Sequence, residues 1–227
     1  MAKLKKQEMK EDKIGEAMTT ALEYAKNHLE VVGGGALAVV IIILAVAMFI
    51  QNQARSEDDA VLAFDSAQGL YIQAANPQDL QKAMAQFDNV SKRYGSTSSG
   101  RQALLYLGLC YRRLAAYDKA IPCFRSFLGK GERSDLLRAA GEEALAASYE
   151  DKGDLREAGK LYTEMAGHFA SDPLTASRAL ISAGRCYAAL KDYPQARKCY
   201  QEVLEKYPVS SRNYDAKVAL AMLPPQE

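Results

Sequence analysis

Two stretches of this chain align with each other without a gap. Gly108 to Phe124 reads GLCYRRLAAYDKAIPCF, and Gly184 to Tyr200, 76 residues further on, reads GRCYAALKDYPQARKCY. Halving that separation places a third copy at Ala146 to Tyr162, AASYEDKGDLREAGKLY, which keeps the small residue, the tyrosine, the alanine and the closing aromatic. Three copies at one spacing of 38 residues describe an array of like units. Each unit is too small to bury both of its faces, so the units must stack to complete a core.

Inside each copy the apolar residues follow helical spacing on two short segments with a turn between them, which predicts a helical hairpin. Tyr111, Tyr149 and Tyr187 fall late on the first helix, and Phe124, Tyr162 and Tyr200 lie on the second. Gly108, Ala146 and Gly184 are expected to face Ala120, Ala158 and Ala196. Such small pairs let two helix axes approach to the short end of the usual range of about 8–10 Å, with the aromatics filling the gaps above and below.

This pattern resembles the tetratricopeptide repeat, whose consensus asks for a small residue, Tyr, Ala, an aromatic and a closing Pro. The copy at 177–210 supplies all five, as Gly184, Tyr187, Ala196, Tyr200 and Pro208. The copy at 101–134 has Glu132 in place of the proline and carries Pro122 inside its second helix, forfeiting one backbone hydrogen bond. The copy at 139–172 has Ala170 there. A degenerate copy runs from about Ser56 to Gly95, where Ala83, Phe87, Val90 and Tyr94 echo Ala196, Tyr200, Val203 and Tyr207; its first helix should end near Asn76 and Pro77. The resemblance implies an all-α, right-handed solenoid: a linker helix and degenerate repeat over 51–98, three repeats over 99–210, and a capping helix with a tail over 211–227.

Before the repeats, Val31 to Ile50 reads VVGGGALAVVIIILAVAMFI, without a charged or polar side chain. Twenty helical residues reach roughly 30 Å, the thickness of a bilayer's hydrocarbon core, so 31–50 is expected to be a transmembrane helix. A buried core helix would show a polar edge. A cleaved signal peptide is a rival reading, since Ala45, Val46 and Ala47 form an A-x-A-like site. However, its apolar core is usually only about 7–15 residues, and here a charged segment precedes the run. Lys3, Lys5, Lys6, Lys10, Lys13 and Lys26 precede the run, whereas Arg55 alone lies in the thirty residues after it. By the positive-inside rule the tail 1–30 is cytoplasmic and the repeats lie on the other side. Ile14, Met18, Leu22, Ala25 and Leu29 give that tail a partly helical pattern.

The 38-residue period, closed by FAS or YPVS, resembles the repeats of bacterial envelope proteins. In layout the chain resembles the single-span member associated with the Sec translocon and periplasmic chaperones. The resemblance implies a scaffold in the bacterial inner membrane, with its repeats in the periplasm and bound to protein partners. Two alternatives stand beside it: a structural subunit of a larger integral membrane complex, packed through Gly33, Gly34 and Gly35, and an organelle receptor with cytosolic repeats.

Catalysis has little footing. A net charge of +1 offers nothing for nucleic acid. His28 and His168 lack a nucleophile or a second ligand at useful spacing. The G-K-G at Gly129, Lys130 and Gly131 follows a helix instead of opening one after a strand, so it is not a phosphate loop. No enzyme activity, cofactor, metal or small-molecule substrate is expected.

Cys110 and Cys123 recur as Cys186 and Cys199, while the middle copy has Ser148 and Leu161. In an oxidising compartment this is the pattern of two disulfides, Cys110 with Cys123 and Cys186 with Cys199; duplicated small buried thiols are the other reading. Tetratricopeptide families commonly bind partners on the surface lined by first helices. Transferred by position, that surface comprises Gln102, Leu105, Leu109, Arg112 and Arg113; Ala140, Glu143, Ala147, Glu150 and Asp151; and Arg178, Ile181, Arg185, Ala188 and Ala189. It lacks the asparagines and lysines with which some members clamp a chaperone's C-terminal carboxylate.

Overall fold

The computed structural model describes residues 29–132 and 134–225 together with Thr19 and Lys26, with side chains from Ile41 onward. The expected cytoplasmic tail therefore falls almost wholly outside the described residues. The chain divides into two units, 1–55 and 56–227.

Helix α1, Leu29–Gln73, begins in the first unit. Its side chains from Ile41 to Ile50 include Ile41, Ile42, Ile43 and Leu44, each more than half exposed. Among the described residues no helix is long and apolar enough to cross a membrane. The expected transmembrane helix is thus not found among them: 31–40 lies outside the residues whose side chains are described, and the other half of the run passes directly into the polar stretch Gln51–Glu57.

The second unit is helical, and its described residues contain no strand. After the end of α1 come α2 (Pro77–Arg93), α3 (Ser98–Arg113), α4 (Tyr117–Gly129), α5 (Asp135–Lys152), α6 (Leu155–His168), α7 (Pro173–Ala189), α8 (Tyr193–Lys206) and α9 (Asn213–Ala221). Consecutive helices pack on each other, which is the arrangement a solenoid of hairpins requires. Local chemistry sets the starts. Asn76 accepts from the Asp79 N–H at 2.9 Å, with Pro77 in the first helical turn; Thr97 accepts from Gly100, Ser134 from Leu137 and Asp172 from Leu174. Each satisfies an N–H that has no partner inside the helix.

The turn inside each hairpin also repeats. Ala115, Gly153 and Lys191 sit 38 residues apart and all take left-handed backbone, with φ of 54°, 90° and 61°. The residue after each donates its N–H to the tyrosine five positions earlier, at 2.9 Å from Ala116 to Tyr111, Asp154 to Tyr149 and Asp192 to Tyr187. These bonds close the C-terminus of the first helix. Asp154 and Asp192 then cap the second helix through their side chains, while Ala116 makes no such bond.

The helices come together over small residues. A Cβ added at Gly108 would meet the Phe124 ring at 2.5 Å, and one at Gly184 would meet the Tyr200 ring, so the closing aromatic of each hairpin lies directly over the glycine. Neighbouring repeats use the same device: Gly141 on α5 lies under Phe127 of α4, and Gly159 on α6 under Tyr187 of α7. Phe124 and Phe127 are fully buried and Tyr200 nearly so.

The end of α1 belongs to this core. Phe64, Tyr71, Phe87 and Tyr106 form a ring cluster with centroids 5.2–6.3 Å apart, and Gln68 Nε2 donates to the Tyr106 hydroxyl at 2.7 Å. The Glu57 carboxylate accepts from the Ser98 and Ser99 N–H groups at 2.9 and 3.2 Å, where the α3 N-terminus favours negative charge.

The expected disulfides are not formed; all four cysteines are free thiols. Cys110 is buried in the cluster that holds Phe87 and Val90; Cys123 packs against the same cluster, half-buried, and donates to the Lys119 carbonyl of its own helix. Burial raises all four thiol pKa values, to about 12 for Cys110 and about 11 for Cys186 and Cys199. They behave as small apolar fillers, the other reading of the duplicated pair.

Two outcomes follow. Ala115→Gly combined with Ala116→Asp gives the first hairpin the Gly153-Asp154 pair of the second; it should stabilise the repeats by about 1 kcal/mol in urea unfolding, since it removes left-handed strain and adds a cap. In native protein at pH 8, iodoacetamide should modify Cys123 first and Cys110 last, with all four reacting at ordinary rates once the chain is unfolded. Thiols that stay blocked after unfolding without reductant would show that the cysteines are oxidised.

Candidate functional site

Because the hairpins repeat, the first helices α3, α5 and α7 bring equivalent faces side by side. On α5, Ala140, Glu143, Ala144, Ala147, Glu150 and Asp151 recur at helical spacing and so share one face. Leu109 and Arg112 approach from α3, and Arg178, Ile181, Ser182 and Arg185 from α7. Tyr162 and Arg212 complete the lining of a cleft of about 560 Å³. Its floor is alanine, and its walls carry charge.

Nearly all of that charge is paired between repeats. Arg112 Nε lies 2.8 Å from Asp151 Oδ2, and Arg178 Nη2 lies 2.9 Å from Glu143 Oε2. Arg185 forks onto Glu150, with Nε and Nη2 each 3.0 Å from a carboxylate oxygen, and the Tyr162 hydroxyl donates to the same carboxylate at 3.1 Å. Exposed pairs contribute about 0–1 kcal/mol each, so the first two mainly set the register of neighbouring helices. The Glu150 side chain is only 22% exposed and takes three hydrogen bonds, which makes it the firmest electrostatic point of the cleft. Burial, and then the Glu150 charge, hold the Tyr162 hydroxyl protonated well above the usual tyrosine range.

Of the residues expected to line this surface, Leu109, Arg112, Glu143, Glu150, Asp151, Ile181 and Arg185 are brought together, as are Ala140, Ala147 and Arg178. Five candidates are not. Leu105 is 3% exposed, sealed in a cluster with Phe124, Ala144 and Leu145, so no partner reaches it. Arg113 turns to the degenerate repeat, where its Nη2 donates to the Ala74 carbonyl at 3.2 Å and its guanidinium lies 5.2 Å from the Tyr71 ring centroid. Gln102, Ala188 and Ala189 also lie outside the cleft. Transfer by repeat position missed Ala144, Tyr162, Ser182 and Arg212. Tyr162 could have been noticed, because a tyrosine at the closing aromatic position brings a hydroxyl that needs a partner.

His168 is paired: its Nδ1 lies 2.9 Å from Glu142 Oε2, and Arg138 Nε meets the same carboxylate. Among the described residues no group of His, Cys, Asp and Glu is placed to hold a metal ion.

Comparison with known proteins agrees with this geometry. Two family descriptions, each of the tetratricopeptide repeat, match residues 74–136 and 177–208. A tetratricopeptide repeat protein from Parabacteroides merdae ATCC 43184 superposes with a TM-score of 0.55 at 19% identity, over 73% of this chain and 59% of that one. This chain thus spans about three fifths of that protein's length. BtubC (BKLC) from P. vanneervenii superposes with a TM-score of 0.50 at 16% identity, over 78% of this chain and 77% of that one. Identities this low speak for the fold alone. No curated protein matches the sequence. The hairpin α5–α6, between the two matched segments, has the same left-handed turn and small-residue packing as its neighbours. The chain carries tetratricopeptide repeats over residues 74–136 and 177–208.

Proposed function

We propose that this chain is a membrane-anchored scaffold that holds a protein partner in the cleft between α3, α5 and α7. The observation that carries the reading is the make-up of the cleft: an alanine floor beneath walls whose carboxylates are already matched by arginines from neighbouring repeats. Such a surface selects by shape and by the ordering of charge, which favours recognition of another chain. Its lining holds neither histidine nor cysteine, the side chains best suited to general-base or nucleophilic work near neutral pH.

The anchor is argued from the apolar run 31–50. Ile41, Ile42, Ile43 and Leu44 point in successive directions around the helix, and all are more than half exposed. Leaving such a side chain in water forgoes about 1.5–3 kcal/mol relative to an apolar medium, so immersion in lipid is the state that removes the penalty. With lysines concentrated before the run, the N-terminus belongs in the cytoplasm and the repeats outside it, in the periplasm of a two-membrane bacterium. Resemblance in layout favours a translocon component or an envelope chaperone as the partner.

The test uses the full chain in its native membranes. Ala140 is exposed on the cleft floor, and Ala140→Trp should fill the cleft while changing repeat stability by no more than about 0.5 kcal/mol, as for other surface substitutions. After an alkaline wash that strips peripheral proteins, wild type and variant should both stay with the membrane, and cross-linking should capture partners with wild type only. Equal capture by the variant would remove the cleft from the account, and loss of the wild-type chain in the wash would remove the anchor.

A further inference from the structure

Helices α3, α5, α7 and α9 begin on one edge of the second unit, where the turns leading into them are joined side by side. Lys130 Nζ donates to the Gly95 carbonyl at 3.3 Å, the Arg138 guanidinium lies 5.7 Å from the Phe169 ring centroid, and the Tyr207 hydroxyl donates to the Ala170 carbonyl at 3.3 Å. The second residue of each of these helices is Ser99, Leu136, Leu174 and Tyr214 in turn. Ser99 is buried and held by Glu57, whereas the other three, with Val209 in the turn before α9, are 56–90% exposed. A first turn ordinarily holds acidic or short polar side chains, which suit its free N–H groups. Large apolar side chains there add nothing to the helix, and at this exposure they add little to the packing of the repeats. Single exposed apolar side chains are ordinary, but recurrence at one position of three successive first helices makes a row.

The way the chain enters the unit narrows what covers that row. Glu57 accepts from the Ser98 and Ser99 N–H groups, so the entry lies on this same edge, seven residues after Ile50. Even fully extended, seven residues reach no more than about 25 Å, which keeps the edge close to the end of the apolar run. We infer that Leu136, Leu174, Val209 and Tyr214 rest in the interfacial layer of a lipid bilayer, so that the repeats meet the membrane through the starts of their first helices. The inference rests on the run 31–50 being a membrane anchor. Tyrosine suits such a boundary, because its ring is apolar and its hydroxyl can stay wet. Lys92, Arg138, Lys206 and Arg212 near this edge each face a carboxylate of their own, Asp88, Glu142, Glu202 and Asp215. The apolar row, and not attraction to anionic headgroups, is therefore what meets the lipid.

The chain contains no tryptophan, so a single introduced one reports alone. The full chain carrying Leu136→Trp, Leu174→Trp or, as a control in the turn at the other end of α7, Leu190→Trp is reconstituted into phosphatidylcholine vesicles with and without bromine on the acyl chains. Brominated lipid should quench the first two variants about twofold and the control hardly at all, since only the first two place the ring at the interfacial depth that aromatic side chains prefer. Adding Val209→Glu and Tyr214→Glu to Leu174→Trp should abolish most of its quenching, which separates a docked edge from a tryptophan that seeks lipid by itself. Quenching that survives those two changes, or quenching of Leu136→Trp and Leu174→Trp no greater than that of Leu190→Trp in variants whose unfolding midpoints match wild type, would overturn the inference. A blue-shifted emission that brominated lipid leaves untouched would overturn it too, because a protein surface, such as a second copy of this chain, would then cover the edge. Flotation of the same vesicles after an alkaline wash keeps the two readings apart. If the chain floats with the lipid while the edge variants stay unquenched, only this inference falls; if the chain does not float, the anchor falls with it.

Discussion

The ring of Phe124 rests on the backbone of Gly108, and the ring of Tyr200 on that of Gly184. This contact sets the close approach of the paired helices in two of the three hairpins, the middle one carrying Ala146 at the same position. A helical hairpin of about thirty residues cannot bury both of its faces, so it gains stability only by bringing its own helices close and offering a flat side to the next hairpin. A glycine beneath a buried ring achieves the first, and Phe127 over Gly141 and Tyr187 over Gly159 achieve the second. The rings then fix how α3, α5 and α7 stand beside one another. That placement puts Arg112 opposite Asp151 and Arg185 opposite Glu150, and so creates the cleft.

Much of this was legible in the sequence, because a repeat is a physical statement about stacking. The gapless alignment of Gly108–Phe124 with Gly184–Tyr200 predicted hairpins, and Asn76-Pro77 predicted the end of the helix before it, which stops at Gln73. How closely the ring seats on the small residue was less legible. Pairing Gly108 with Ala120 left the aromatics above and below the contact, whereas the atoms nearest the missing Cβ are those of the Phe124 ring. The left-handed turn was hidden for a related reason. Only the middle copy marks it with glycine, and Ala115 and Lys191 adopt it because the hydrogen bonds of Ala116 and Asp192 to Tyr111 and Tyr187 outweigh the local strain.

The candidate site was legible in the same partial way. Repeat position correctly brings Leu109, Glu150 and Arg185 to one surface, but it cannot say which side chains a neighbour will cover. Leu105 is sealed by Ala144 and Leu145 of the next repeat, and Arg113 is drawn off by Tyr71 and the Ala74 carbonyl of the degenerate one. Both departures are long-range contacts that no local pattern encodes. The cysteines teach the same lesson, since recurrence in pairs reflects repeat geometry and places Cys110 and Cys186 in the core as free thiols.

If a glycine under a buried ring is what lets the hairpins stack, a single methyl group should decide the matter by the sign of its effect. Alanine favours a helix over glycine by about 1 kcal/mol, so Gly184→Ala would stabilise the repeats if the position were merely helical. The Tyr200 ring is only 4% exposed and has no free space to yield into. Urea unfolding of Gly184→Ala in the full chain should therefore show a net loss of about 1–3 kcal/mol, the usual cost of overpacking. A midpoint equal to or above wild type would contradict the account.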